Sequence, residues 1–128
     1  MKKGLLFILA VLLLTACGQG TESEQEASYV NITAEEAKQI MDSTQDYIIL
    51  DVRTYEEYET GHIPGARCLP LDDIECNAET FIPDKDMMYL IYCRSGRRSK
   101  LAAEQLLELG YTNLVEFGGI IDWPYEVE

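Results

Sequence analysis

The segment 93–99, which reads CRSGRRS, carries the residue types best suited to chemistry in this sequence. It places Cys93 directly before Arg94, and Arg97 and Arg98 follow shortly after. Neighbouring cations and the N–H groups at the start of a helix lower the pKa of a thiol, and the thiolate is its nucleophilic form. The segment therefore predicts a reactive Cys93.

The residues on either side of the cysteine predict a strand followed by a helix. The run 87–92, MMYLIY, is short and apolar throughout, which is typical of a buried strand. The segment 99–109 has apolar residues at helical spacing, with Gly110 placed to end the helix. These apolar residues are Ala102, Ala103, Leu106, Leu107 and Leu109. Cys93 is therefore expected on a turn between a strand and a helix.

The rest of the chain repeats this alternation of strands and helices. The other predicted elements are short strands at 29–32 and 67–70, a helix opened by a Thr33–Glu36 capping box, an apolar strand at 47–52, a short helix at 54–59 that ends at Gly61, weak helical turns over 71–83 and a last strand at 113–117. Apolar strands alternating with helices favour an α/β fold whose parallel sheet is covered on both faces. Ligands bind at the carboxyl ends of such strands, so Asp51 and Cys93 are expected to share one rim.

Length and charge limit the partners of the domain. The chain has 128 residues and a formal net charge of −13, which allows one domain with its own core and disfavours nucleic acid as a partner. The three arginines of 93–99 are therefore a local positive site on an acidic molecule. A small anion suits such a site.

The N-terminal residues have the pattern of a bacterial export signal. Lys2 and Lys3 precede the apolar run 4–14, which is too short to span a membrane as a helix. The segment 14–17, LTAC, resembles the lipobox of bacterial lipoproteins. This resemblance implies cleavage before Cys17 and a lipid on its thiol.

The domain organisation follows from that signal. Residues 1–16 are predicted to be the signal peptide, 17–28 a lipidated cysteine with an acidic flexible tether, and 29–128 the folded domain. The implied location is the cell membrane, lipid-anchored through Cys17 and facing the extracytoplasmic side.

Four segments together resemble a single-domain rhodanese in their order and spacing. They are Asp51-Val52-Arg53, the turn GHIPGA at 61–66, the loop 93–99, and Gly118-Gly119 ahead of Trp123. The resemblance implies an α/β domain with a small five-stranded, mainly parallel sheet flanked by helices. It also implies sulfur transfer through a persulfide on Cys93, without a cofactor.

The same resemblance implies the substrates. Cys93 would take the outer sulfur of a small anionic donor such as thiosulfate and release sulfite. The acceptor would be cyanide in an assay, or a thiol or another protein in the cell. The residues expected to bind the donor are Arg94, Ser95, Gly96, Arg97, Arg98 and Ser99.

Several other polar residues are expected to support the loop. Asp51 and Arg53 are expected to brace the loop or a neighbouring helix, with Arg53 paired to Glu57. Arg98 has two interpretations, as a donor-binding residue and as a brace. His62 is expected in a structural turn, because a thiolate already stabilised by N–H groups needs no base.

The remaining cysteines of the domain lie outside the matched motifs. Cys68 and Cys76 are interpreted as buried free thiols, while a bridge between them or a resolving role toward Cys93 stays open. One histidine and no closely spaced cysteine pair disfavour a zinc site, so no metal is expected.

Two alternative functions remain. One is a non-catalytic rhodanese-like binding or sulfur-carrier module at the membrane. The other is a cysteine-dependent phosphatase or arsenate reductase, whose related loop has five residues between the cysteine and an arginine. Here the arginine comes one position earlier, as Arg98, and Ser99 takes the required position. The shorter ring suits a sulfur atom better than a tetrahedral phosphate.

Overall fold

A computed structural model describes residues 28–128, which form one α/β domain built on a five-stranded sheet. Its elements are β1 (Val30–Asn31), α1 (Ala34–Ser43), β2 (Tyr47–Asp51), α2 (Tyr55–Thr60), β3 (Arg67–Cys68), a 3₁₀ turn (Leu71–Asp73), α3 (Ile74–Phe81), β4 (Met88–Cys93), α4 (Arg97–Glu108), β5 (Leu114–Gly119) and a second 3₁₀ turn (Ile120–Asp122). The strand order is β1-β5-β4-β2-β3, and all four neighbouring pairs are parallel. The predicted α/β fold with a five-stranded sheet is confirmed.

The central strand β4 shows why both faces of the sheet are covered. Tyr89, Ile91 and Cys93 belong to the core beneath α3 and α4, whereas Leu90 and Tyr92 belong to the core on the α1 face. Successive side chains of a strand point to opposite faces, so an apolar run without alternation fills two cores at once. This burial fixes the position of Cys93 at the end of the strand.

The starts of helices α1 and α4 are set by local sequence signals. The Glu36 N–H donates to Thr33 Oγ1 at 3.1 Å and the Thr33 N–H donates to Glu36 Oε1 at 3.3 Å, which is the predicted capping box of α1. The helix α4 begins at Arg97, earlier than the predicted 99, because Gly96 adopts a φ of +101° and turns the chain directly into the helix.

The predictions for the N-terminal segment concern residues 1–28. The signal peptide, Cys17 and the tether up to residue 27 lie outside the described residues. Within residues 28–128, no helix combines the length and apolar character needed to cross a membrane.

Candidate active site

Cys93 is the last residue of β4, at the carboxyl edge of the sheet. Asp51 is the last residue of the adjacent strand β2, where it pairs in register with Tyr92. The two residues therefore lie at the same rim, as the parallel sheet predicts. The three residues 94–96 then connect Cys93 to the first turn of α4.

The Cys93 sulfur is enclosed by hydrogen-bond donors. The residue is 1% exposed, the Gly96 N–H donates to Sγ at 3.0 Å, and Ser99 Oγ lies 3.5 Å from Sγ. Burial alone would raise the pKa of this thiol. Hydrogen bonds from the Ser99 hydroxyl and from the N–H groups of Ser99, Gly96 and Ser95 outweigh burial and lower the pKa below its ordinary value. The loop is therefore built to hold a thiolate.

The end of β5 sets the orientation of the first loop peptide. A Cβ added to Gly119 would lie 2.0 Å from the Arg94 carbonyl oxygen, so only glycine permits this approach. The same carbonyl accepts the Ile121 N–H at 3.2 Å. In a trans peptide the N–H points opposite to the carbonyl. Anchoring the Arg94 carbonyl outward thus directs the Ser95 N–H toward the sulfur.

The three loop arginines do not act alike. Arg94 and Arg97 are exposed, and neither forms an ion pair with any residue from 28 to 128. Arg98 instead donates to Glu57 of α2, at 3.2 Å from Nη1 and 2.9 Å from Nη2. This contact favours the interpretation of Arg98 as a brace, and its role in donor binding stays a prediction. The first turn of α4 points its side chain at α2, and the arginine serves as a brace.

The Ser99 side chain is fully buried beneath the loop, while its backbone N–H is among the donors to the Cys93 sulfur. Its place among the donor-binding residues stays a prediction. Its Oγ lies 2.6 Å from Glu116 Oε1 and 3.0 Å from the Gly96 carbonyl oxygen. Its hydroxyl reaches the Cys93 sulfur from the protein side, so it supports the thiol without facing an incoming substrate.

Asp51 and Arg53 form a buried ion pair at the neighbouring strand end. Arg53 Nη2 donates to Asp51 Oδ2 at 2.6 Å and to the Gly61 carbonyl oxygen at 2.7 Å. The Tyr92 hydroxyl also donates to Asp51 Oδ2, at 2.7 Å. The predicted Arg53–Glu57 pair is wrong, because Glu57 binds Arg98. Asp51 and Arg53 brace the turn after α2, and they reach the loop only through Tyr92, which precedes Cys93.

His62 has a structural position, as expected. Its ring stacks on Tyr58 with centroids 3.8 Å apart, and its Nδ1 lies 3.0 Å from the Tyr58 carbonyl oxygen. Its backbone exchanges hydrogen bonds with Glu128 at 2.9 and 2.8 Å. These contacts tie the turn to the C-terminus.

Cys68 and Cys76 are both free, without a bridge between them. Cys76 is exposed on α3, contrary to the interpretation as a buried thiol. Cys68 is partly buried, with Sγ 3.6 Å from the Arg53 carbonyl oxygen. Burial and the nearby Asp51 raise the pKa of Cys68 to about 11. Cys68 is therefore protonated at neutral pH and poorly suited to resolve a persulfide.

One residue of the site was missed from the sequence, and another was given the wrong partner. Glu57 was expected to pair with Arg53, but it binds Arg98. Glu116 is completely buried on β5. Its signal was available, because it is the one charged residue in the otherwise apolar strand 114–117.

One further cavity is separate from the cysteine. A cavity of about 560 Å³ is lined by residues of α1 together with Ile63, Trp123 and Tyr125, on the other face of the sheet from Cys93. Across residues 28–128, no group of three His, Cys, Asp or Glu side chains is arranged to hold a metal ion.

Comparison with known proteins agrees with this geometry. Residues 33–123 match the rhodanese-like domain family. The chain is 39% identical over 107 residues to "Putative sulfur carrier protein YrkF" of Bacillus subtilis, which covers 83% of this chain and only 57% of that protein. It is 40% identical over 73 residues to thiosulfate sulfurtransferase PspE of Escherichia coli, covering 57% of this chain and 70% of that protein.

A solved structure is similar over the same region. A rhodanese with anions from E. coli shares 35% sequence identity with a TM-score of 0.60, covering 64% of this chain and 96% of that chain. The family match over residues 33–123 includes β2 to β5, the cysteine loop and α4. The chain belongs to the rhodanese-like family.

Proposed function

We propose that this protein is a sulfurtransferase that moves a sulfane sulfur from a donor such as thiosulfate to a thiophilic acceptor, through a persulfide on Cys93. The observation that carries the proposal is the ring of backbone N–H groups directed at Cys93 Sγ, the Gly96 N–H at 3.0 Å among them. Such a ring stabilises an anion on sulfur. The match to the rhodanese-like family and the similarity to PspE support it.

The reaction needs no external redox partner. The Cys93 thiolate attacks the outer sulfur of thiosulfate, the donor S–S bond breaks, and sulfite leaves with the bonding electron pair. The new persulfide carries its negative charge on the outer sulfur. A cyanide ion or an acceptor thiolate then attacks that sulfur, and Cys93 leaves as a thiolate.

Two exposed cations are placed to bind the anionic donor. Arg94 and Arg97 flank the open side of the loop and form no ion pair within residues 28–128. Hydrogen bonds between a guanidinium and an anion are roughly twice as strong as neutral ones. The similar E. coli structure is described as a rhodanese with anions, which supports an anionic ligand.

Intact-protein mass spectrometry tests the persulfide directly. Treatment with thiosulfate should add the mass of one sulfur atom, and cyanide should remove it. Cys93→Ser should show no added sulfur, whereas the matched control Cys76→Ser, which changes an exposed cysteine of α3, should load like the parent. An unchanged mass together with hydrolysis of an aryl phosphate would contradict the proposal and favour a phosphatase.

A sulfur carrier is the second candidate, because YrkF of B. subtilis is described as one. A carrier would also form the persulfide, but it would release sulfur to a protein acceptor and turn over slowly with cyanide. Steady-state thiocyanate formation separates the two. A loaded protein without multiple turnovers would indicate a carrier.

We further propose that the protein is anchored at the extracytoplasmic side of the cell membrane by a lipid on Cys17. The proposal rests on the sequence pattern of residues 1–17 alone. Expression of the full chain in a bacterium should place it in the detergent-extracted membrane fraction. Cys17→Ser should move it out of that fraction, and membrane association of this variant would contradict the lipid anchor.

A further inference from the structure

Glu116 is a buried carboxylate that the proposed transfer does not use. Within residues 28–128 it has no Lys, Arg or His partner, and it accepts hydrogen bonds from the Asn31 amide, the Gly118 N–H at 2.8 Å and the Ser99 hydroxyl at 2.6 Å. Burying a carboxylate is costly unless donors replace its water. Its position, one hydroxyl away from the Cys93 sulfur, suggests an effect on the chemistry of that sulfur.

Ser99 has one hydroxyl proton and four acceptors within reach, which are Glu116, Cys93 and the carbonyl oxygens of Gly96 and Gly118 at 3.0 and 3.4 Å. Its Oγ lies 2.6 Å from Glu116 Oε1 and 3.5 Å from Cys93 Sγ. The shorter contact with a carboxylate is the stronger one, so the proton points to Glu116 and the Ser99 oxygen accepts from the Cys93 thiol. Stabilising the thiolate requires the reverse, with the hydroxyl turned to donate to sulfur. Glu116 and the thiolate therefore compete for one proton.

We propose that Glu116 is a positioning residue that sets the reactivity of Cys93 by competing with its sulfur for the Ser99 hydroxyl proton. Glu116 draws the hydroxyl proton toward itself, so the hydrogen bond by which Ser99 lowers the Cys93 pKa is weaker than it would be without this carboxylate. The negative charge of Glu116 acts in the same direction, because a like charge nearby disfavours a second anion. When Cys93 ionises, its proton goes to solvent.

The competition has a consequence for sulfur transfer, and this consequence rests on the proposed function. Cys93 has to attack the donor and later leave from the persulfide. A more basic thiolate is the better nucleophile, and a less basic one is the better leaving group. Glu116 therefore slows discharge, in which Cys93 is the leaving group, and in loading it makes the thiolate a better nucleophile while lowering the thiolate fraction.

The other charged groups on the surrounding elements are already paired or exposed. Arg98 of α4 is held by Glu57, Asp51 of β2 by Arg53, and Lys38 of α1 by Asp42. Arg94 and Arg97 are exposed on the loop. They favour the Cys93 thiolate, and none of the variants below changes them.

The variant Glu116→Gln tests the proposal with little change of shape. The glutamine oxygen can still accept from Ser99 and Gly118, and the Asn31 amide can turn over to accept from the new NH₂ group. The negative charge is lost, and a neutral amide oxygen attracts the Ser99 proton less strongly than a carboxylate does, so the hydroxyl donates to the thiolate more readily. The midpoint of Cys93 alkylation by iodoacetamide should move to lower pH by about one unit. An unchanged or higher midpoint would overturn the proposal.

The measurement is made on the full chain and read on the Cys93-containing peptide by mass spectrometry, so the other cysteines do not interfere. Glu104→Gln is the matched control, because it removes one exposed negative charge from α4 without a contact to Ser99. Its midpoint should stay close to that of the parent. A shift equal to that of Glu116→Gln would mean a general effect of net charge and would also overturn the proposal.

Two further variants examine the link through Ser99. Asn31→Ala, at an exposed position of β1, removes a donor from Glu116 and strengthens its hold on the Ser99 proton, so the alkylation midpoint should rise. If Glu116→Gln fails to fold, this variant decides, and a midpoint that does not rise would overturn the proposal.

Ser99→Ala removes the shared hydroxyl. In this background Glu116→Gln should shift the midpoint by clearly less than it does in the parent. Equal shifts in the two backgrounds would refute the role of Ser99. Alkylation requires no sulfur donor, so this experiment stands even if the protein does not load sulfur from thiosulfate.

Discussion

The ends of the neighbouring strands β2 and β4 each hold a buried group that carries or can acquire a negative charge, and the two groups are stabilised by different kinds of partner. Asp51 at the end of β2 is fully buried, and its carboxylate is met by the Arg53 guanidinium at 2.6 Å and the Tyr92 hydroxyl at 2.7 Å. Cys93 at the end of β4 is 1% exposed, and its sulfur is met by backbone N–H groups and a hydroxyl. The loop cations remain outside.

This difference separates a brace from a reactive site. A carboxylate neutralised by a fixed side-chain cation has no capacity left for a ligand. A sulfur surrounded by N–H dipoles is stabilised as an anion, and the exposed arginines of its loop form no ion pair within residues 28–128. Burial alone does not identify the functional residue. The kind of partner that compensates the charge does.

Loss of the carboxylate at the β2 end should have the largest effect on stability. Asp51→Asn leaves the Arg53 cation buried without its partner, so the free energy of unfolding should fall by about 3 kcal/mol. Urea denaturation measures this change. Cys93→Ser should lower it by less than about 1 kcal/mol while abolishing sulfur loading. Equal destabilisation by the two variants would remove the contrast between the strand ends.

The thiols on the two sides of Asp51 should differ strongly in reactivity. The pKa of Cys68 is raised from 9.0 to about 11, so its thiolate fraction below pH 9 should be about 100-fold lower than that of an ordinary thiol. The lowered pKa of Cys93 predicts the opposite shift. Peptide-level alkylation at pH 7 should label Cys93 well before Cys68, and faster labelling of Cys68 would contradict these environments.

The same shifts give opposite trends of stability with pH. Ionisation of Cys93 contributes to the free energy of unfolding above the ordinary thiol pKa. This contribution is lost as pH falls through the lowered pKa of Cys93 in the folded protein. The contribution of protonated Cys68 to the free energy of unfolding is complete below pH 9.0. It is lost as pH rises through the raised Cys68 pKa of about 11. Unfolding free energies of Cys93→Ser and Cys68→Ala, each compared with the parent across pH, should show slopes of opposite sign.

The two arginines at the start of α4 provide the smallest and most specific contrast. Arg97→Ala should weaken thiosulfate binding about tenfold and spare an uncharged sulfane donor, since it removes an unpaired cation. Arg98→Ala should lower the free energy of unfolding by about 0.5 kcal/mol and affect both donors equally. Initial rates with the two donors measure the difference. An equal loss for both donors in Arg97→Ala would mean that Arg97 is also a brace.

The fold could be read from the sequence because its signals are local and repeated. The apolar runs 47–52 and 87–92, the Thr33–Glu36 capping box and the stop at Gly61 each specify an element without long-range information. The order of these elements then fixes a parallel sheet and puts Asp51 and Cys93 at one rim. The boundaries of the elements are less strongly specified by the sequence. The weakly patterned segment 71–83 forms a 3₁₀ turn followed by α3.

The pairing of side chains could not be read in the same way. Arg53 and Arg98 are both near acidic residues in sequence or space, and only the packing of α2 against α4 decides that Glu57 binds Arg98. The role of Ser99 depended on the helix starting at Arg97, two residues earlier than predicted, which turns its hydroxyl inward toward Glu116. Sequence spacing placed the reactive atom but not its supporting contacts.

The near-complete enclosure of Cys93 means that the protein would change its surface when it carries sulfur. A sulfur atom added to Sγ extends the side chain by about 2 Å, the length of one S–S bond. The unloaded thiol is recessed, and only a slender, end-on reactant can touch it. The loaded form would hold its transferable atom at the mouth of the loop, where an acceptor can recognise it. Loading with sulfur would therefore also create the surface by which an acceptor distinguishes the loaded protein from the unloaded one.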